Sequence, residues 1–198
     1  MRAGADRVVL AAATGQDGYD SRPALDDEGW ATLLGNLDRV AAAVREHGLA
    51  ASLHPHIGTM IETRDEIDRV LAGTQIPLCL DTGHMTIGGT DVAAFVDEHA
   101  GRIGHVHVKD VDAALAARVR SGEIAYTDAV RHGLYTAIGT GDIDLDRIVG
   151  ALERAGYRGV YVLERDVILD EAPQPGDGPA ADVAAAATYL RNLLARAA

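Results

Sequence analysis

Cysteine is almost absent from the 198-residue sequence, in which Cys79 is the only one. Because a disulfide needs two cysteines, none can form within this chain, and we expect it to fold in a reducing compartment. No apolar stretch approaches the roughly 18 residues that a membrane-spanning helix needs, and the N-terminal segment is too weakly apolar for a signal peptide. These absences predict a soluble, cytoplasmic protein.

Positive charge is also scarce. The chain has 18 Lys and Arg against 30 Asp and Glu, which gives a net charge of −12 and a sequence pI near 4.9. A surface this negative repels the phosphates of nucleic acids and the headgroups of anionic lipids. We therefore expect no nucleic acid and no membrane as a partner, and a small molecule instead.

Short apolar runs alternate with amphipathic helical stretches along the whole chain. Such alternation predicts βαβ units, hence an α/β fold with parallel strands, and a single domain over residues 1–198. Thr63 and Glu66 form a capping-box pattern at the start of one helix. Residues 111–135 predict an irregular helix, and residues 170–182 predict a loop before an Ala-rich final helix. The strands are predicted at residues 7–12, 49–53, 76–80, 103–108 and 160–163, and the other helices at 30–44, 91–100 and 144–155.

Four of these strands end in a polar group that can bind a metal ion: His54, Asp81, His107 and Glu164. The carboxyl ends of parallel strands converge on one face, which carries the active site in α/β proteins. Nitrogen and oxygen ligands together suit Mn, Co, Fe, Zn or Mg.

Each of these residues also has a structural interpretation when it is taken alone. A histidine after a strand is commonly a hydrogen-bonded structural residue, and Asp81 could form an Asx turn. Glu164 could belong to a solvated charge cluster with Arg165 and Asp166. Their recurrence at four strand ends favours a metal site on one face.

Four strings resemble the xylose isomerase-like barrel superfamily: HPHIGT (54–59), LDTGHM (80–85), HVHVKDVD (105–112) and VLERDV (162–167). This superfamily includes sugar epimerases, hydroxypyruvate isomerases, endonuclease IV and inosose dehydratases. The first three strings, together with residues 119–145, look most like the inosose dehydratases. The resemblance runs from Gly4 to about Val167, and its motifs are specific only in combination.

The resemblance implies an incomplete (β/α)8 TIM barrel that retains about strands four to eight. A complete barrel typically needs about 250 residues, which also predicts that this chain is N-terminally truncated. Such an open sheet would expose unpaired edges. The alternatives are a fragment, which the start of the sequence close to a core strand favours, a wrongly started reading frame, or a subunit whose barrel is completed by a second copy or a partner chain. A non-catalytic remnant or interaction module is the alternative of another class.

The resemblance also implies roles for single residues. Asp81, His107 and Glu164 would bind a divalent metal, with Mn or Co favoured over Zn, Mg or Fe. His54 would be the fourth ligand, although it stands where the epimerases have a glutamate. His84, His56, His105 and Arg165 would contact the substrate, and His84, Lys109, Glu62 and His56 are candidates for proton transfer.

The implied reaction is dehydration of 2-keto-myo-inositol through an enediolate that the metal stabilises. An epimerase or isomerase would use the same intermediate, so that alternative stays open. Lys109 could act as an acid or base with a lowered pKa, could remain charged beside the enolate, or could simply form a salt bridge with Asp110 or Asp112.

Overall fold

The computed structural model describes residues 4–174 and 176–197. Each predicted strand is present, and two further short strands were not predicted. The strands are β1 (Arg7–Leu10), β2 (Ala50–Leu53), β3 (Leu78–Asp81), β4 (Ile103–Val108), β5 (Asp110–Val111), β6 (Tyr135–Thr136) and β7 (Tyr161–Leu163). The helices are α1 (Asp27–Glu46), α2 (Arg64–Gly73), α3 (Thr82–Ile87), α4 (Val92–His99), a 3-10 turn (Ala100–Arg102), α5 (Ala113–Arg120), α6 (Tyr126–Arg131), α7 (Leu145–Arg154) and α8 (Pro179–Ala197).

Five strands form one parallel sheet in the order β1-β2-β3-β4-β7, while β5 and β6 pair antiparallel beside it. Helices lie between successive strands of the sheet, because parallel neighbours need a crossover connection. The sheet remains open, which confirms the predicted incomplete barrel. None of the helices in the described part of the chain is long and apolar enough to cross a membrane.

The strand register divides the side chains between two faces of the sheet. Partners such as Leu80 and Val106 point towards the helices, and both are fully buried in the main core. Asp81 and His107, which follow them by one residue, are also partners and point to the opposite face. Because side chains alternate along a strand, the helix-covered face is apolar and the concave face carries the polar groups.

The helices are positioned by side-chain caps and by the core. The predicted capping box is present, with the Thr63 hydroxyl and the Glu66 carboxylate both bonded to backbone N–H groups at the start of α2. Aspartates cap most of the other helices, and Asp91 accepts from the backbone N–H of Ala94 at 2.9 Å. Each such cap satisfies a donor that the helix itself leaves free.

The segment between β5 and β6 was predicted to be helical but irregular, and the structure confirms this. It contains α5 and α6, and both break at glycines with positive φ, Gly122 at 73° and Gly133 at 89°. The buried Asp110 carboxylate then accepts from the backbone N–H groups of Gly139 and Gly141, each at 2.9 Å. This contact holds the returning chain against β5.

Other differences lie at element boundaries. β1 ends at Leu10 and not at residue 12, and α8 begins at Pro179, inside the stretch predicted as a loop. Proline suits the first turn of a helix because its missing N–H would have no helical partner there. Helix α3 follows β3 with no intervening residue, although an Asx turn was the structural alternative for Asp81. Residue 198, towards which the last helix was predicted to run, lies outside the described residues.

Candidate active site and metal centre

Three of the four predicted ligands meet on the concave face of the sheet. Asp81 is the last residue of β3, His107 lies in β4, and Glu164 directly follows β7. His107 Nδ1 is 3.4 Å from Asp81 Oδ2 and 3.4 Å from Glu164 Oε2. One ligand atom from each residue lies within 4.8 Å of the others, close enough for one ion to contact all three.

Asp81 uses its two carboxylate oxygens differently. Oδ1 accepts from the backbone N–H of His84 at 2.8 Å and so caps α3. Oδ2 is buried and has no hydrogen-bond partner among the described residues. The cap therefore fixes the carboxylate with one oxygen directed into the cluster. Burial alone would raise the pKa of Asp81, but His84, His107 and Lys109 outweigh burial and hold that pKa below its ordinary value.

His54, the predicted fourth ligand, is adjacent to this set. Its Nε2 lies 3.8 Å from Asp81 Oδ2. His54 can share an ion with Cys79 and His107, or with His56 and His84, but it is not part of the group that contains Glu164. Burial lowers the pKa of His54 to about 4, so its imidazole is neutral at neutral pH. A neutral imidazole has the lone pair that a metal ion requires.

The residues present fit a divalent metal ion. Asp81 Oδ2, His107 Nδ1 and His54 Nδ1 are buried polar atoms without a hydrogen bond in the described part of the chain. Such atoms are costly unless something pairs with them, and a metal ion is one group that does. The set of carboxylate and imidazole donors suits Mn, Co, Fe or Zn and does not distinguish among them.

Lys109, the only lysine of the sequence, is buried beside the cluster. Its Nζ lies 2.8 Å from Asp166, 3.2 Å from Glu164 and 3.6 Å from Asp81. Burial alone would lower the pKa of Lys109, but these carboxylates raise it. This direction favours the charged form of Lys109 over the suggested acid-base role with a lowered pKa. The alternative prediction of a salt bridge to Asp110 or Asp112 is wrong in its partners, because Lys109 pairs with Asp81, Glu164 and Asp166.

His84 occupies the centre of the face and is almost fully buried. Its Nε2 is 3.1 Å from Lys109 Nζ, and its Nδ1 is 3.3 Å from the Tyr135 hydroxyl. Burial lowers the pKa of His84 well below its ordinary value, so the ring is neutral. Tyr135 in turn contacts the hydroxyl of Tyr126 at 2.9 Å.

A cavity of about 370 Å³ opens beside this cluster. Its polar lining includes His56, Arg165 and Asp166, with the rings of Tyr19 and Tyr126 alongside. His56 Nδ1 is 2.7 Å from the carbonyl oxygen of Ile57. Because a carbonyl only accepts, Nδ1 carries the proton, and the Nε2 of a neutral ring keeps its lone pair. Arg165 forms an ion pair with Asp182.

Two predicted residues stand apart from the cluster. The Glu62 carboxylate accepts from the backbone N–H of Gly58 at 2.7 Å and pairs with Arg22 at 3.4 Å. It lines a second cavity of about 400 Å³, which shares Tyr19 and Tyr126 with the first. His105 lies next to His107, with ring centroids 5.3 Å apart, and lines neither cavity.

Sequence reasoning missed three residues that complete the cluster: Tyr126, Tyr135 and Asp166. Asp166 lies in the VLERDV string, where it was regarded only as part of a charge cluster. The two tyrosines lie in the 119–145 segment, whose similarity to a known family was the one signal that could have drawn attention to them.

A profile described as xylose isomerase-like TIM barrel matches residues 2–193. An inosose dehydratase of Geobacillus thermodenitrificans is 36% identical over 151 residues, which are 75% of this chain and 51% of that protein. The rhizopine catabolism protein MocC of Rhizobium meliloti is 37% identical over 147 residues, 73% of this chain and 45% of that protein. The chain thus spans about half the length of the curated relatives it matches.

Solved structures show the same fold at lower sequence identity. The structure of an L-ribulose 3-epimerase aligns with a TM-score of 0.68 and 20% identity. The aligned region is 96% of this chain and 62% of the epimerase chain. The IOLI protein, whose crystal structure has a bound zinc atom, aligns with a TM-score of 0.67 and 16% identity. The aligned region is 98% of this chain and 64% of the IOLI chain.

Proposed function

Because the chain belongs to the xylose isomerase-like TIM barrel family, we propose that its site serves a divalent-metal-dependent hydro-lyase that removes water from 2-keto-myo-inositol. The observation that carries the proposal is the meeting of Asp81, His107 and Glu164 beside an open cavity. Among the described residues, Asp81 Oδ2 and His107 Nδ1 have no hydrogen-bond partner. The choice of an inosose as substrate is supported by the relatives named inosose dehydratase.

Asp81, His107 and Glu164 would hold the metal ion, with His54 as the adjacent fourth donor. A divalent cation bound there supplies a Lewis acid beside the ketone oxygen and an adjacent hydroxyl of the substrate. The zinc atom in the structure of the IOLI protein supports a metal in this fold. The donor set leaves Mn, Co, Zn and Fe open for this chain.

The proton steps are assigned from hydrogen-bond geometry. Dehydration breaks a C–H bond next to the ketone and a C–OH bond on the following carbon. A base takes the proton from the first carbon, a C=C bond forms, and the hydroxide that leaves the second carbon takes the proton from the base and departs as water. His56 lines the cavity with a lone pair on Nε2, so we assign it as the base that takes the proton from carbon. Lys109 stays charged, and its ammonium offsets the negative charge that develops on the substrate oxygens.

Arg165 lines the same cavity and is oriented by Asp182, so its guanidinium is placed to donate to substrate hydroxyls. We give Glu62 no part in proton transfer, since Arg22 and the Gly58 N–H already occupy it. His105 is likewise assigned no substrate contact.

The test is an assay of the 198-residue chain with 2-keto-myo-inositol and Mn²⁺ or Co²⁺, following the ultraviolet absorbance of the dione product. We expect turnover that chelation abolishes and that His56→Gln lowers by about a hundredfold or more, the usual contribution of a general base. His132→Gln, an exposed histidine at the end of α6, is the matched control and should leave the rate unchanged.

Turnover of ketohexoses without the ultraviolet signal would contradict the proposal and favour an epimerase. Absence of both activities, with the chain folded and metal bound, would assign catalysis to a protein longer than this chain.

A further inference from the structure

A continuous row of hydrogen bonds leads from Lys109 to the wall of the cavity. Lys109 Nζ is 3.1 Å from His84 Nε2, and His84 Nδ1 is 3.3 Å from the Tyr135 hydroxyl. The Tyr135 and Tyr126 hydroxyls are 2.9 Å apart. All four side chains are at most 6% exposed, so water does not compete for these contacts along the row.

With Lys109 protonated and the His84 ring neutral, the row has one consistent direction. A lysine ammonium is a donor without a lone pair, so His84 Nε2 must accept from Lys109. A neutral imidazole that accepts at Nε2 carries its proton at Nδ1, and therefore donates to the Tyr135 oxygen. Tyr135, whose oxygen already accepts from His84, then directs its own proton to the oxygen of Tyr126.

The last proton of the row is left without a protein acceptor. Within residues 4–174 and 176–197, the Tyr126 hydroxyl has Tyr135 as its one hydrogen-bond partner. In the direction derived above, Tyr126 accepts in that bond. Tyr126 lines both the cavity that contains His56, Arg165 and Asp166 and the second cavity behind Tyr19. The hydroxyl proton thus has no acceptor among the described residues, on a side chain that lines both cavities.

The backbone holds these groups in place independently of the row. The Thr82 hydroxyl donates to the Lys109 carbonyl at 2.6 Å, and the Lys109 N–H donates back to Thr82 at 2.8 Å. The N–H of Tyr126 donates to Asp20 at 2.6 Å, and β6 fixes Tyr135. Such a framework lets the row keep one set of donors and acceptors before any ligand arrives.

We propose that Tyr126 is a substrate-contacting residue that donates a hydrogen bond to an oxygen of a polyol ligand, and that Tyr135 is a positioning residue that sets the direction of this donor. The proposal rests on the function proposed above and adds a binding group to it. Burial raises the pKa of Tyr126 to about 12, so the phenol keeps its proton throughout the neutral range.

The direction of the row is tested first, without any need for activity. Long-range ¹H–¹⁵N NMR of the full chain, with His84 assigned by comparison with His84→Gln, reports which ring nitrogen carries the proton. We expect the Nδ1–H form in the wild type and a shifted Nδ1 resonance in Tyr135→Phe. A proton on Nε2, or on both nitrogens, would overturn the proposal whether or not the chain is active.

Ligand contact is tested by calorimetric titration of the full chain with myo-inositol, a polyol that lacks the ketone and does not react. Tyr126→Phe is expected to weaken binding by about tenfold, and Tyr135→Phe by about threefold, because the donor remains but is no longer oriented. Tyr161→Phe is the matched control, since it removes a phenol hydroxyl bonded to Glu153 outside the cavity and should bind as the wild type does.

Equal binding by Tyr126→Phe and the wild type would overturn the proposal, as would no binding by the wild type. If polyol binding behaves as expected while 2-keto-myo-inositol is not dehydrated, the proposed function fails and the role of Tyr126 stands.

Discussion

The two oxygens of Asp81 make it possible to separate metal binding from folding. Oδ1 caps α3 by accepting from the His84 N–H at 2.8 Å, while Oδ2 has no hydrogen-bond partner in the described residues. Asparagine can keep the cap with its amide oxygen, but its NH₂ group in place of Oδ2 cannot bind a cation. Alanine loses both functions. Asp81→Asn and Asp81→Ala should therefore share the loss of metal and differ in stability.

The size of that difference follows from the cap. Both substitutions remove the same negative charge and its 3.6 Å contact with Lys109, so these effects cancel in the comparison. The remaining term is one N-cap, worth about 1 kcal/mol when Asp or Asn is replaced by Ala. The side chain is fully buried, so the cavity left by alanine adds to this figure. We expect Asp81→Ala to be less stable than Asp81→Asn by at least about 1 kcal/mol.

Urea unfolding in EDTA measures the stability of the metal-free proteins, and elemental analysis of washed protein measures bound metal. Asp91 is the matched control, because it caps α4 through Ala94 outside the cluster. Asp91→Ala should be less stable than Asp91→Asn by about 1 kcal/mol, the cap alone, because Asp91 is exposed and its loss leaves no cavity; metal content should stay at about one ion per chain in both. The reasoning is refuted if Asp81→Asn retains its metal, or if the Asp81 pair is equally stable while the Asp91 pair is not.

Three further predictions concern the groups around the cluster. Lys109→Met leaves the buried Asp81 and the partly exposed Glu164 and Asp166 without their counter-ion. It should lower the free energy of unfolding of metal-free protein by about 1–3 kcal/mol in urea titrations, partly recovered on adding Mn²⁺, and an unchanged stability would contradict this. Gly83→Ala places a Cβ 2.8 Å from Lys109 and 3.0 Å from Tyr135, so it should lower the free energy of unfolding in urea by about 1–3 kcal/mol. Gly35→Ala is the control, because a Cβ there meets open space and should raise the free energy of unfolding by about 0.5–1 kcal/mol. His54 has a pKa of about 4 in the folded protein and 6.5 when unfolded, so the unfolded state binds a proton first and folding stability falls as the pH drops from 6.5 towards 4. Between pH 7.5 and 5.5, the free energy of unfolding of the wild type in EDTA should fall by about 1.4 kcal/mol more than that of His54→Gln. Equal losses in the two proteins would contradict this.

Much of the fold could be predicted because its signals are local. Each strand of the sheet is a short apolar run, and the strand at residues 103–108 has the predicted bounds. The capping box at Thr63 and Glu66 depends on two residues three positions apart, and the structure confirms it. The convergence of Asp81, His107 and Glu164 also follows from a simple rule, since each lies at the end of a parallel strand.

The rest depends on contacts between residues distant in sequence. Lys109 meets Asp166, which lies 57 positions away and was interpreted as part of a solvated charge cluster. Tyr135 reaches His84 because β6 runs antiparallel to β5, and that pairing is held by Asp110 acting on the loop after β6. Nothing in the periodicity of residues 111–135 indicates a strand there, since two residues are too few to show alternation.

Helix α3 was missed for a different reason. Its six residues are nearly all buried, so no polar face reveals a helical period. The consequence is functional, because this helix supplies the N–H that orients Asp81 and the ring of His84.

The account depends on a divalent cation held by Asp81, His107 and Glu164. Anomalous diffraction from crystals of the chain grown with Mn²⁺ or Co²⁺ locates that cation directly. The account predicts one strong peak in contact with Asp81 Oδ2, His107 Nδ1 and the Glu164 carboxylate, and none in Asp81→Asn crystals. A peak among His54, His56 and His84 instead, or no peak in a correctly folded wild type, would contradict it.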